Sequence, residues 1–313
     1  MRFLLFLSVL PFLATAAPET TPQEKPAAEA EGKVAKPFLW KVEGNGLKQP
    51  SWLFGTIHLG GKAVSKLHPA AEKAFGSADI VYTEIPMDVA TQMQAAMSVL
   101  RADGKTLSAS IGEKLADEVK AELKAINPDL NLVPFEFMKT WAIAVTLPLL
   151  KSQLGGEQAL DDLLAKRAAS ANKKTDALET AKSQTDIFDT LKEEEQVILL
   201  GETLRRLRED REKKEDSLET LRGYYLAGDA EKMWKLAEEQ LADLGEHKDL
   251  ADRLVKKLLT DRNQAMAETM GKHLAEAPDK THFFAVGTAH YLGPQSICGW
   301  LEKKGFKVTR VTE

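Results

Sequence analysis

The chain has 313 residues, of which 43% are hydrophobic and 28% are charged, and its formal net charge is -5. This length can bury one substantial core, or a core with a subdomain, and the composition is typical of a soluble globular protein. Because the chain carries no net positive charge, it lacks the overall field that attracts nucleic-acid phosphates, and we predict no nucleic-acid partner. Cys298 is the only cysteine, which excludes a disulfide bond within the chain.

The N-terminal residues 1–16 have the pattern of a secretory signal peptide. A basic residue, Arg2, precedes an apolar run over residues 3–13, and residues 14–16 (ATA) match the small-residue cleavage pattern. The run is too short to span a membrane comfortably, so we expect cleavage near Ala16 and no stable membrane span in the mature protein. Retention of the segment as an N-terminal anchor is the alternative. Cleavage predicts a periplasmic or secreted protein.

After the cleavage pattern, residues 17–36 are rich in Ala, Pro, Glu and Thr and contain no aromatic side chain, which predicts a disordered linker. Residues 37–313 are expected to form a single α/β domain, because apolar and β-branched runs alternate with helix-forming segments. Its centre is predicted to be a mixed or largely parallel sheet. The predicted strands are residues 38–42, 51–54, 79–86, 175–179, 282–286 and 306–311.

The middle of the domain, from about residue 88 to residue 280, is mostly helical in pattern. This predicts a large helical insertion between two outer units, each made of a strand, a helix and a second strand. One segment is apolar enough to suggest a membrane span, but charged residues and a proline interrupt it, so we expect a buried core helix there. The predicted helices include residues 87–101, 112–126, 135–154 (the apolar segment) and, as one or two long helices, 193–226.

One short motif occurs in both outer units. Residues 55–58 (GTIH) follow the second predicted strand, residues 287–290 (GTAH) follow the fifth, and a Leu-Gly pair comes soon after each. For either motif alone, a buried histidine bonded to a backbone carbonyl is the ordinary explanation. The repetition on matching units instead predicts that the two motifs are halves of a single site, brought together by folding.

Four polar side chains lie at or just after predicted strand ends: His58, Glu84, Glu179 and His290. In open parallel sheets, functional groups collect beyond the carboxyl ends of the strands, and adjacent strands are about 4.8 Å apart. Two imidazoles with one or two carboxylates predict a divalent-metal site for Zn, Mn, Co or Fe. The same groups could act without a metal, with either histidine as a base and Glu84 as its partner.

A further pair, Arg262 and Asn263, lies in a predicted helix late in the insertion. The guanidinium could hold a substrate carboxylate or carbonyl and the amide could orient a ligand, whereas a surface salt bridge is the alternative. The remaining histidines do not share the motif and are expected to be structural or exposed. They are His68, His247, His273 and His282.

These residues together resemble the TraB/GumN family, also called TraB/PrgY/GumN, which includes the Tiki-like metalloproteases. The resemblance extends in order over nearly the whole mature chain. It departs from the family pattern at Tyr291, where leucine or valine is frequent, and at Ala177, where glycine is usual. The matching positions are residues 53–58 (LFGTIH), Glu84, residues 178–179 (LE) with Gln184, residues 262–263 (RN) and residues 283–293 (FFAVGTAHYLG).

The resemblance implies an active site formed by the paired motifs and a glutamate, with His58, Glu84 and His290 as catalytic residues and metal ligands. It assigns substrate or supporting contacts to the other three candidates, Glu179, Arg262 and Asn263. The leading hypothesis is an exported, metal-dependent hydrolase that cleaves a peptide or protein substrate. The alternatives are a metal-independent esterase-like hydrolase and a non-catalytic envelope protein that binds haem or a peptide, since the wider superfamily includes esterase-like and haem-binding relatives.

Overall fold

The computed structural model describes residues 36–242 and 244–312. The predicted signal peptide and all but the last residue of the predicted linker therefore lie outside the described residues. Within those two ranges, no helix is both long enough and apolar enough to cross a membrane.

A mixed sheet occupies the centre of the fold, and in the described part of the chain it has six strands in the order β4-β3-β5-β2-β1-β6. The pairs β4–β3, β3–β5 and β5–β2 are parallel, whereas β1 is antiparallel to both of its neighbours. The predicted α/β class with a largely parallel sheet is confirmed. The strands are β1 (Leu39–Gly44), β2 (Ser51–Thr56), β3 (Ile80–Thr83), β4 (Lys174–Ala177), β5 (His282–Gly287) and β6 (Phe306–Arg310).

The two outer units are interleaved in the sheet. Strand β5 of the second unit lies between β2 and β3 of the first unit, and Thr56 pairs with Gly287 at the end of the β2–β5 ladder. Since β2 and β5 run in the same direction, both repeated motifs leave the sheet at the same edge and from adjacent strands. This pairing brings the two motifs together, as the sequence predicted.

Helices fill the segment between β3 and β5, apart from the short edge strand β4, which agrees with the predicted helical insertion. A π-helical segment (Lys256–Thr260) joins α11 to α12, and 3-10 turns cover Val133–Phe135 and Thr288–Tyr291. The helices are α1 (Lys62–Ser65), α2 (Pro69–Ser77), α3 (Val89–Ser98), α4 (Leu107–Ile126), α5 (Thr140–Leu154), α6 (Leu160–Ser170), α7 (Ala181–Asp189), α8 (Glu193–Lys213), α9 (Ser217–Ala227), α10 (Ala230–Ala242), α11 (Lys248–Val255), α12 (Asp261–Glu276) and α13 (Ile297–Lys303).

Local features of the structure set the limits of the helices in two predicted segments, 135–154 and the stretch predicted as one or two helices over 193–226. The predicted helix over 135–154 begins only at Thr140, because the chain before it forms the 3-10 turn and a bridge between Leu100 and Met138. The charged stretch over 193–226 is two helices. Lys214 adopts a left-handed conformation with φ 54°, which ends α8, and Asp216 caps the start of α9 with its carboxylate.

The buried apolar residues form two large clusters. One covers the sheet and includes Phe283 and Phe284, and the other lies among α4, α5, α8 and α11. Ala289 packs in the helical cluster, whereas Tyr291 packs in the sheet cluster. The second motif therefore lies at the boundary between the two cores, where both fix its position.

The packing between the motifs gives a stability prediction for Gly55. A Cβ placed there would lie 2.7 Å from Thr288 Oγ1 and 2.9 Å from Phe38 Cβ, so Gly55→Ala should lower the free energy of unfolding by about 1–3 kcal/mol. Gly76, in α2, has open space around the same position, and Gly76→Ala should raise it by about 0.5–1 kcal/mol. Urea unfolding of both variants measures the difference. Equal effects would contradict the close approach of the two motifs.

Candidate functional site

The two motifs meet around the backbone of Gly287. A Cβ at this position would lie 3.2 Å from Glu84 Oε1, 3.5 Å from His290 Cδ2 and 4.0 Å from His58 Nε2. A Cβ would crowd the Glu84 carboxylate, so the absence of a side chain here favours the close approach of Glu84 to the main chain. The structure thus brings together the two histidines and the glutamate that the sequence singled out, at the carboxyl edge of β2, β5 and β3.

The first histidine is oriented by a carboxylate from the helical insertion. His58 Nδ1 lies 3.0 Å from Asp161 Oδ2, and Thr56 Oγ1 donates to Asp161 Oδ1 over 2.5 Å. Asp161 is the second residue of α6 and is buried. Burial by itself would lower the pKa of His58, but the charge of Asp161 and its hydrogen bond raise that pKa above the ordinary value.

The second histidine is oriented by an amide. His290 Nδ1 lies 2.6 Å from Asn263 Oδ1, while Asn263 Nδ2 donates to the carbonyl of Gln295 over 2.8 Å. His290 is completely buried, and its Nε2 atom has no hydrogen-bond partner among the described residues. Burial, reinforced by the positive charge of Arg262, lowers the pKa of His290 to about 3, so this imidazole is neutral at physiological pH.

Glu84 is held by three donors. Its Oε1 accepts from the backbone N–H of Gly287 over 2.8 Å, and its Oε2 accepts from Arg262 Nη2 over 2.5 Å and from Gln184 Nε2 over 3.0 Å. Burial would raise the pKa of this carboxyl, but Arg262 and then the neighbouring histidines outweigh it and hold the pKa far below its usual range. Glu84 is therefore a permanent anion beside the two histidines.

The guanidinium of Arg262 neutralises two buried carboxylates. Beyond Glu84, it donates from Nε and Nη2 to Glu179 Oε2 over 3.0 and 2.9 Å, and its Nη1 donates to the Leu258 carbonyl over 3.3 Å. Side-chain exposure is 6% for Arg262 and 8% for Glu179. Its donors are thus directed to the protein, and the alternative of a surface salt bridge is wrong because the pair is buried.

Two contacting residues were absent from the predicted site. Asp161 follows a leucine and precedes a second aspartate, so its sequence context indicates only the acidic first turn of a helix. Gln184 was noted for the resemblance alone, although it bonds to both Glu84 and Glu179. The histidines outside the motifs lie elsewhere: His68 caps α2, and His282 bonds within the sheet core.

A divalent metal was the predicted cofactor, and the side chains fit one in part. Throughout the two described ranges, no three His, Cys, Asp or Glu side chains form a ready ligand group. The two imidazoles nevertheless fit, because an oxygen acceptor holds each Nδ1, as in histidines that bind metals. His58 Nε2 lies near Gly287, and His290 Nε2 is buried without a hydrogen-bond partner among the described residues. Glu84, by contrast, is already engaged by its three donors.

Comparison with known proteins identifies the family whose sequence pattern the chain matches. Residues 38–310 match the model of the TraB/PrgY/gumN family. The chain is 25% identical to a Metalloprotease TIKI homolog of Nematostella vectensis, over 88% of this chain and 67% of that protein. It is 24% identical to Metalloprotease TIKI1 of Danio rerio, over 87% and 62%, and 25% identical to Metalloprotease TIKI2 of Danio rerio, over 93% and 63%. The chain spans about two thirds of the length of these relatives. No solved structure matches it.

The buried ion pairs of Arg262 give a second stability prediction. Arg262→Met leaves two buried carboxylates without their counter-ion and should lower the free energy of unfolding by about 3–5 kcal/mol. Arg253→Met is the matched control, because the Arg253–Glu195 pair is exposed on its arginine side, and should cost about 0–1 kcal/mol. Chemical denaturation compares the two. Similar losses of unfolding free energy in both variants would contradict the predicted stabilisation by the Arg262 ion pairs.

The opposite pKa shifts of the two histidines predict the pH dependence of stability in metal-free protein. His290 stays neutral when folded but takes up a proton when unfolded, so stability should fall below about pH 6.5 by up to about 1.4 kcal/mol per pH unit. The raised pKa of His58 affects stability in the opposite direction. His58 stabilises the folded state at pH values below its unfolded pKa, and this stabilisation is lost as pH rises through its folded pKa. His290→Gln should therefore flatten the fall in stability below about pH 6.5, whereas His58→Gln should abolish the contribution that is lost as pH rises above about 6.5. Unfolding curves on both sides of pH 6.5 test both signs, and a slope below pH 6.5 that is unchanged in His290→Gln would contradict the assignment.

Proposed function

The chain belongs to the TraB/PrgY/gumN family, and on this basis we propose that it is a peptidase-like hydrolase that binds a divalent metal ion through His58 and His290 beside Glu84. The observation that carries the proposal is the convergence of both motifs and Glu84 on the Gly287 backbone. The relatives named as metalloproteases support the metal and the peptide bond as target. The signal-peptide pattern of residues 1–16 supports action outside the cytoplasm.

The surrounding residues prepare the site electrostatically. Glu84 remains ionised because Arg262 offsets the loss of solvation, so a fixed negative charge lies beside the two histidines. That charge stabilises a cation placed there, and it equally stabilises a protonated imidazole. When bound, a divalent ion lowers the pKa of a water molecule and polarises the scissile carbonyl. Asn263 keeps His290 oriented for this role, since its amide is fixed in turn by the Gln295 carbonyl.

A metal-independent hydrolase is the second candidate, and the His58–Asp161 pair favours it. A base whose far nitrogen is held by a carboxylate is the arrangement that activates a nucleophile in enzymes without a metal. In this version His58 Nε2 accepts the proton of the attacking group, and Asp161 stabilises the imidazolium that results. The engagement of Glu84 by three donors also fits this candidate, because the glutamate then needs no free oxygen.

The two candidates separate in one set of assays on the purified mature protein. We expect a bound divalent metal, cleavage of a peptide library, and a loss of activity of about 100-fold or more after chelation and in His58→Ala and His290→Ala. His68→Ala is the matched control, since His68 caps α2 away from the site and should retain activity.

The remaining outcomes of these assays are equally informative. Activity that survives stringent removal of metal but is lost in His58→Ala would establish the metal-independent candidate. Activity that survives both chelation and His58→Ala would contradict both candidates, as would the lack of any cleavage by protein that is folded and loaded with metal.

A further inference from the structure

The two histidines end the same GTxH pattern but have different partners. His58 Nδ1 faces an aspartate and His290 Nδ1 faces an asparagine, and both partners come from helices of the insertion rather than from the motifs. In the case of His290, the amide orientation follows from the Gln295 carbonyl, which accepts from Asn263 Nδ2 and leaves Oδ1 for the imidazole. His290 therefore carries its proton on Nδ1, with the lone pair on Nε2.

The same reasoning applies more strongly to His58. An ionised carboxylate can only accept hydrogen bonds, so the nitrogen facing Asp161 must carry the proton and Nε2 must carry the lone pair. Asp161 shares its two oxygens between two donors, the hydroxyl of Thr56 and the ring of His58. Because both donors belong to the first motif, the carboxylate fixes the position of the ring relative to the strand as well as its proton.

A purely structural role for Asp161 is the competing explanation. A negative charge in the first turn of α6 stabilises the helix through its dipole. The neighbouring Asp162 already supplies such a charge, while it accepts from Gln158 and from Lys166 over 2.6 and 2.9 Å. The helix therefore does not require a second acid at position 161, whereas a buried carboxylate there is costly unless its donors compensate it.

We propose that Asp161 is the positioning residue of the first half-site: it holds His58 with the proton on Nδ1, so that the Nε2 lone pair faces the Gly287 backbone. Each half-site then presents an Nε2 lone pair, which the Asp161 carboxylate fixes in His58 and the Asn263 amide fixes in His290. This inference deepens the proposed function and rests on it, since an Nε2 lone pair on each histidine is what the binding of the proposed cation requires. The protonation pattern itself does not depend on catalysis.

The first test is the nitrogen NMR spectrum of the histidine rings in the full-length, metal-free protein at alkaline pH. We expect His58 to show a protonated Nδ1 and an unprotonated Nε2. Asp161→Ala should release this preference and give a mixture or the reverse pattern, since no acceptor then holds the proton on Nδ1. Asp162→Ala, the adjacent acid without a contact to either histidine, should leave the spectrum unchanged.

A second variant separates the effect of Asp161 on the His58 ring from its hydrogen bond to Thr56, which links α6 to β2. Thr56→Val removes the hydroxyl donor but keeps the carboxylate opposite His58, so the Nδ1 proton should persist. The spectrum of the wild-type protein tests the proposed Nδ1 proton on His58 even when a variant does not fold. An Nε2 proton on His58 in the wild-type protein would overturn the proposal, and so would an unchanged His58 spectrum in folded Asp161→Ala.

The second test measures the affinity for Co²⁺ by the visible absorption of the bound ion. Asp161→Ala should weaken binding by about 10–100-fold, as the loss of a carboxylate behind a ligating histidine does elsewhere. Asp162→Ala should bind as the wild type does. Equal Co²⁺ affinity in folded Asp161→Ala and in the wild type would overturn the positioning role. A protein with the expected spectrum and affinities that cleaves no peptide would contradict the proposed function alone.

Discussion

The parallel pairing of β2 with β5 is the constraint on which the site depends. These strands are separated by more than two hundred residues of sequence, yet their ladder places Thr56 opposite Gly287 and directs both motifs to one edge of the sheet. Thr288 Oγ1 then donates to the Thr56 carbonyl over 2.8 Å, so the two halves are bonded to each other beyond the last pair of the ladder. A shift in this register would move one histidine away from the other.

The second requirement is that the buried negative charges of the site are neutralised, and the helical insertion supplies the positive charge that does so. The segments that follow β3 and β4 contribute Glu84 and Glu179, but the arginine that neutralises both comes from α12. Two buried carboxylates without this guanidinium would be driven to bind protons instead of remaining anions. The insertion is therefore part of the site. It also supplies Asp161, whose charge raises the pKa of His58, while the charge of Arg262 reinforces the lowering of the His290 pKa by burial.

The sequence was informative wherever a local pattern determines the structure. The alternation of apolar runs predicted all six strands, and the repeated GTxH pattern predicted that His58 and His290 would meet. The order of strands was beyond such reasoning, because no local pattern shows that β5 inserts between β2 and β3. Asp161 was missed for the same reason: its contact with His58 spans more than a hundred residues and depends on how α6 packs on the sheet.

The central claim is that the repeated motifs form one ligand-binding site. X-ray absorption spectroscopy of the Co²⁺-loaded protein tests it most directly, because the scattering pattern counts the imidazole rings around the ion. The account predicts two imidazole ligands in the wild-type protein and one after either His58→Ala or His290→Ala. An ion with no imidazole ligands, or one whose surroundings are the same in both variants as in the wild type, would contradict it.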